Sequence, residues 1–377
     1  MAGIYIHIPF CKRKCIYCDF YSLACSSQVM DHYVAAVLKE ARLRSGELMN
    51  AVNTLYVGGG TPSLLSTDHL RTLIDGLSNV FDLSKLQEFT IEVNPDDVTS
   101  EMMTAYQSLG VNRVSMGVQS FDDKDLHFIN RRHSSQQAIE TVEIIRNSGV
   151  NNVSIDLIYG IPGQTLDTWM HNVQQAIALG VQHISAYCLS YEEGTPLWHM
   201  RERGEVQEVD EETTVRMYEV LVEHLRKAGY LHYEISNFAL PGFESKHNSS
   251  YWDGTPYLGL GAAAHSYDGG AVRSYNPADI DGYMKCLDLD MLPCEREQLS
   301  PVEQYDEMVM LALRTSRGLD LSRLDRRFGH AESEAFKTKA QRFVECGLLV
   351  CENGVYRLSQ KGVMVSNAVI SDLFAER

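Results

Sequence analysis

The chain has 377 residues, 44% of them hydrophobic, and a formal net charge of -17; that length exceeds one ordinary domain and allows one large core beside one or two smaller units. The acidic balance repels phosphate backbones, which excludes nucleic acid as a partner. No run of about eighteen apolar residues occurs, and the opening MAGIYIHIPF lacks the charged, apolar and small-residue succession of a signal peptide, so the expectation is a cytoplasmic protein with at most peripheral membrane contact.

From the first residues, short β-branched and aromatic runs alternate with longer segments of helical period. Strands are predicted over 4–8, 54–57, 89–93, 113–118, 153–159 and 183–189, with amphipathic helices over 30–43, 67–80, 136–146 and 168–179. Parallel strands joined by right-handed crossovers curve into a barrel. The predicted fold is therefore α/β, a partial (β/α)6 barrel over residues 1–230, with its functional groups at the carboxyl ends of the strands. After a helix over 211–228, Gly, Tyr, His and Asn cluster between 230 and 283, which reads as an irregular extension over 231–291. Residues 292–301 resemble a polar linker. The remainder, 292–377, fits helices over 302–315, 321–328 and 334–346, a hairpin about Asn353-Gly354 and a last helix over 362–374. Helices followed by a β-wing suggest a winged-helix-like unit, here without a concentrated basic face.

Nine cysteines are an odd number, and only Cys11, Cys15 and Cys18 lie close together, a usage suited to a reducing compartment. Their spacing, C-x3-C-x2-C after the first strand, lets one loop present three thiolates to an iron-sulfur cluster and leaves one iron open. The alternatives are a chance grouping or a structural zinc site, although zinc takes four ligands and favours C-x2-C pairs. Lys12, Arg13 and Lys14 would offset cluster charge. Gly58-Gly59-Gly60-Thr61 ends the second strand, where glycines permit a ligand or a tight turn to approach the backbone. Glu92 is a carboxylate in an apolar strand and needs a partner, either a ligand or an internal ion pair. In His247-Asn248-Ser249-Ser250-Tyr251-Trp252 an imidazole and two aromatics gather. They suit either a heme face or the packing of the extension against the barrel.

The cysteine motif on such a barrel resembles the radical SAM superfamily. The fuller text YIHIPFCKRKCIYCDF, with GGGTPSLL, IEVNP, GVQSF, IDLIYGIPGQ and HNSSYW, resembles its branch of oxygen-independent coproporphyrinogen III oxidases and related heme chaperones, across essentially the whole chain. The resemblance implies a [4Fe-4S] cluster on Cys11, Cys15 and Cys18, whose open iron takes the amino and carboxylate groups of S-adenosylmethionine (SAM). It further implies SAM contacts from Tyr5, Tyr17, Gly59, Gly60, Thr61, Glu92, Gln119, Arg131 and Asp156, and, on less closely matching surroundings, from Ser190 and His265. The HNxxYW signature of the chaperones implies His247 as a heme contact, heme as bound cargo, and acceptor hemoproteins, respiratory ones among them, as partners. Two departures separate the chain from the oxidase pattern. Phe20 stands where the oxidases have a fourth cysteine, and the first strand begins by Ile4 rather than after a long segment. Both favour a heme carrier over an enzyme that decarboxylates coproporphyrinogen III.

Overall fold

The computed structural model describes residues 2–24, 26–48 and 51–375. Six runs of alternating character become parallel strands, β1 (Gly3–Ile8), β2 (Thr54–Gly59), β3 (Glu88–Val93), β4 (Arg113–Gln119), β5 (Asn152–Tyr159) and β6 (His183–Cys188), hydrogen-bonded in chain order. Side chains alternate between the two faces of a strand. One set, including Leu55, Val57, Ile91, Val114, Met116, Ile155 and Leu157, joins the helices in a single apolar core. The other set, Tyr56, Glu92, Ser115, Asp156 and Ser185, lines an internal cavity. Except for Ser27–Leu43, the α-helices between these strands start on a side-chain cap. Helix Thr67–Ser78, for example, opens with a capping box between Ser66 and His69 and buries Leu70, Leu73 and Leu77.

Residues 231–291 are not an irregular extension. They continue the same sheet, with β7 (Leu231–Glu234) and β8 (Asn237–Ala239) antiparallel beyond β6, and β9 (Tyr257–Leu260) parallel beside β1. Antiparallel β10 (His265–Tyr267), β11 (Val272–Tyr275) and β12 (Glu295–Gln298) extend that edge. Strands of three or four residues carry too few alternations to show a period, and their glycines are required by close packing. A Cβ on Gly259 would lie 2.0 Å from the carbonyl oxygen of His265. The expected linker over 292–301 holds β12, whose four exposed polar residues suit the outer edge of a sheet.

The C-terminal block begins at a Ser300–Glu303 capping box and packs helices Pro301–Leu313, Leu321–Phe328 and His330–Glu345 on a core of its own that includes Tyr305, Val309, Leu324, Phe336 and Tyr356. Its sheet has the order β13 (Leu319–Asp320), β15 (Val355–Leu358), β14 (Leu349–Glu352). Asn353 and Gly354, both at positive φ, close the hairpin as the Asn-Gly pair predicts. The expected last helix is two short ones, Gln360–Met364 and Ser366–Ser371, because Val365 between them leaves the helical region at φ -121. Among the described residues no helix is long and apolar enough to cross a membrane.

Candidate functional site

The loop after β1 is held by backbone rather than by its thiols. Cys11 N–H donates to Leu23 O at 3.1 Å, Leu23 N–H to Pro9 O at 2.8 Å, and Leu197 N–H to Ile16 O at 2.9 Å. Lys12 is not directed at the thiols; its ammonium sits 2.6 Å from buried Asp97, which Arg132 also contacts at 3.2 Å. Cys11, Cys15 and Cys18 then line one cavity of about 470 Å³, together with Arg13, Lys14, Tyr17 and Arg131. Arg131 approaches Cys15 Sγ at 3.6 Å and donates to Asn94 Oδ1 at 2.8 Å and to the Gly117 carbonyl. Thr61 Oγ1 lies 3.3 Å from Cys11 Sγ and accepts from Asn94 Nδ2 at 3.1 Å. Three separate thiols facing one cavity, with cations around them, fit the corners of a cluster.

The three glycines after Val57 serve different ends. Gly59 has φ +111, a conformation that side chains resist, and a Cβ there would strike the His7 ring. Gly58 has no room beside Tyr56 and Glu92, and Gly60 would place a Cβ 2.8 Å from the carbonyl oxygens of both Ile8 and Phe10. Backbone cannot yield as a side chain does. Gly60→Ala is therefore expected to destabilise the fold by about 1–3 kcal/mol and to lower iron retention after reconstitution, read by thermal unfolding and iron content together.

Deeper in the barrel, Glu92 accepts from Tyr56 Oη at 2.7 Å and from Gly59 N–H at 3.0 Å. Burial pushes its carboxyl up to about 7, with Asp156 adding like charge and Tyr56, Gly59 and Arg113 opposing. Asp156 is likewise raised by burial, against hydrogen bonds from Ser185 and Ser115 and the charges of Arg113 and Arg131. Two carboxylates that resist ionisation beside an open cavity make a receptor for a cation. Gln119 lines the wall from a bulge in β4 at φ +70, which a non-glycine residue adopts only when its surroundings impose it.

Of the residues expected around SAM, Tyr17, Gly59, Gly60, Thr61, Glu92, Gln119, Arg131, Asp156 and Ser190 all line this cavity. Tyr5 does not reach its wall; its hydroxyl is 3.0 Å from His7 Nδ1 and its ring packs by Tyr56. His265 is exposed on β10 and stacks on Tyr275, away from the cavity. His247, expected as the heme contact, lies outside this cavity's wall. It is fully buried at the amino-terminal end of the barrel, with Nδ1 at 2.9 Å from Thr54 Oγ1 and Nε2 at 2.8 Å from Tyr251 Oη. Both ring nitrogens are engaged inside the barrel floor. Tyr56 and Asn248 line the cavity without having been singled out; Asp97, which anchors Lys12 and Arg132 behind the loop, carries no local sequence pattern of its own.

The radical SAM superfamily pattern matches residues 5–176, and the HemN C-terminal domain matches residues 299–365. The heme chaperone HemW of Lactococcus lactis is 35% identical over 97% of this chain and 95% of its own length. That of Bacillus subtilis is 34% identical over 100% of both chains. The chain belongs to the HemW family. Membership implies the radical SAM cofactors, a [4Fe-4S] cluster and SAM, and Cys11, Cys15 and Cys18 line one cavity in this chain. Among solved structures, coproporphyrinogen III oxidase (HemN) from Escherichia coli superposes with a TM-score of 0.86 at 21% identity, covering 99% of this chain and 90% of that one, and thus shares the fold.

Proposed function

We propose that the chain is a heme chaperone, which binds heme and hands it to acceptor hemoproteins, respiratory ones among them, on a radical SAM scaffold. The observation that carries this reading is the identity to heme chaperones along the whole chain, C-terminal block included. Cys11, Cys15 and Cys18 would hold the cluster, which when bound supplies an electron to SAM. Gly59, Gly60 and Thr61 would receive the SAM amino group, with ionised Glu92 as its counter-charge. Asp156, Gln119 and Arg131 would bound the ligand on the β4–β5 side, Tyr17 from the cysteine loop, and Ser190 at the rim. Phe20, 63% exposed in the position of the oxidases' fourth cysteine, supports a carrier over an oxidase.

The test is anaerobic reconstitution with iron and sulfide, then heme titration with and without SAM, and an assay for protoporphyrinogen. Stoichiometric heme binding and transfer to an apo-hemoprotein are expected, with no porphyrinogen conversion. Sustained conversion of coproporphyrinogen III to protoporphyrinogen would overturn the reading.

A further inference from the structure

The three cations of the cysteine loop do not act alike. Arg13 and Lys14 line the thiol cavity, whereas Lys12 reaches past the end of β2 and sets its ammonium 2.6 Å from Asp97 Oδ1, beyond β3. Asp97 closes the short 3-10 turn Pro95–Asp97, and its side chain is only 2% exposed. A carboxylate this deep needs charge and hydrogen-bond partners, and it draws them from three neighbouring segments. Besides Lys12, Arg132 Nη2 from the segment after β4 lies 3.2 Å from each oxygen. Ser63, after β2, donates its hydroxyl to Oδ2 at 3.3 Å. One buried acid thus ties together the segments that follow β1, β2, β3 and β4.

This clamp acts on the thiols at one remove. Lys12 adjoins Cys11, whose Sγ lies 3.3 Å from Thr61 Oγ1. Arg132 adjoins Arg131, which approaches Cys15 Sγ at 3.6 Å and donates to Asn94 Oδ1 at 2.8 Å. Groups behind the ligands of a metal centre fix where the ligands stand and tune the centre's electronics. Charge is the second lever. Lys12 and Arg132 face Asp96 and Asp97, with Arg132 at 2.7 Å from Asp96, so the group as it stands is neutral. Without Asp97 it has one positive charge in excess, and added positive charge favours the reduced form of an iron-sulfur cluster. At about 10 Å and an effective dielectric constant of about 20, one charge moves such an equilibrium by roughly tenfold.

We infer that Asp97 is a positioning residue for the cluster: it clamps the thiol loop from outside the cavity and, by cancelling the charge of Lys12 and Arg132, keeps the reduction potential of the bound cluster low. The inference rests on the proposed placement of the cluster at Cys11, Cys15 and Cys18. A lower potential makes the reduced cluster a stronger electron donor to SAM.

The experiment compares the full wild-type chain with Asp97→Asn, Lys12→Met and the double variant. Asparagine keeps the shape and an oxygen for Ser63 while removing the charge. In the cluster-free chains, alkylation of Cys11 by iodoacetamide, followed by mass spectrometry, is expected to quicken fivefold or more in both single variants. After anaerobic reconstitution, redox titration is expected to show the reduced-to-oxidised ratio of Asp97→Asn raised about tenfold at a fixed potential, a rise of about 59 mV for a one-electron couple. Lys12→Met, at a side chain 54% exposed, is expected to retain the fold and to shift the ratio about threefold in the opposite direction. The double variant, which loses one charge of each sign, should return to the wild-type potential while its loop stays loose. A carboxylate that only braced the loop would not give this reversal. Unchanged alkylation in both single variants overturns the clamp. A potential in Asp97→Asn at or below that of wild type, or one that Lys12→Met fails to bring back, overturns the electrostatic role; if Asp97→Asn takes up no cluster, an unshifted Lys12→Met does the same. A wild type that takes up no cluster instead overturns the cluster reading, while alkylation still tests the clamp.

Discussion

Replacing Cys11, Cys15 or Cys18 singly with Ala is expected to reduce the reconstituted iron-sulfur chromophore to background, while circular dichroism stays that of the wild type. Two thiolates cannot hold three corners of a cluster, and among the described residues the loop contains no further cysteine, since Phe20 follows Cys18 and Asp19. The fold is spared because the loop's path depends on its backbone bonds to Leu23, Ile129 and Leu197 rather than on sulfur. Cys188 supplies the sharpest control. It lines the same cavity from the end of β6, so Cys188→Ala would cost iron if that thiol filled the fourth corner. Retention of the chromophore in Cys188→Ala, and in Cys346→Ala and Cys351→Ala on the surface of the C-terminal block, is the expected result. Half or more of the wild-type iron remaining in any of the three loop variants would show that the ligands lie elsewhere.

Where side chains alternate over six or more residues, pattern alone located the elements. All six barrel strands fall within one or two residues of their predicted limits, and the thiol loop, Glu92 and Asp156 sit at the strand positions that alternation assigns. Shorter elements escaped because three or four residues hold no period, and so β7 to β11 read as irregular and β12 as linker. The surroundings of His247 were hidden for a related reason. Its residue type fits heme iron, and its partner Thr54 lies 193 positions away in sequence. Nothing within HNSSYW signals that contact. Tyr56 was hidden in the opposite sense, as an aromatic in a strand that passes for core until its hydroxyl is seen on Glu92.

Glu92→Gln is expected to abolish the pH dependence of SAM binding and to weaken it most at neutral pH and above. With no ligand bound, burial holds the Glu92 carboxyl at about 7, against 4.5 for an ordinary glutamate. Between those values the folded chain keeps a proton that the unfolded chain has lost. Folding stability therefore declines as pH rises from about 4.5 to about 7 and stays lower above, by about 3 kcal/mol if the whole shift is expressed. A cationic ligand reverses the preference, since its charge favours the ionised carboxylate and expels the proton. Wild-type affinity for SAM should accordingly rise with pH from 5.5 to 7.5, below the ligand's own α-amino pKa of about 8. Loss of one buried, charge-assisted contact is worth about 2–3 kcal/mol, so at pH 7.5 Glu92→Gln should bind SAM about 30- to 150-fold more weakly. At pH 5.5, where the wild-type carboxyl is itself protonated, the gap should shrink by about an order of magnitude. The unliganded variant should gain stability relative to wild type as pH rises, despite losing the Gly59 N–H acceptor, because it no longer has a buried charge to ionise. Calorimetric titration of SAM at both pH values, with thermal unfolding of the unliganded proteins, reads both effects. A wild-type affinity that is flat across this range would remove Glu92 as the counter-charge and shift that role to Asp156.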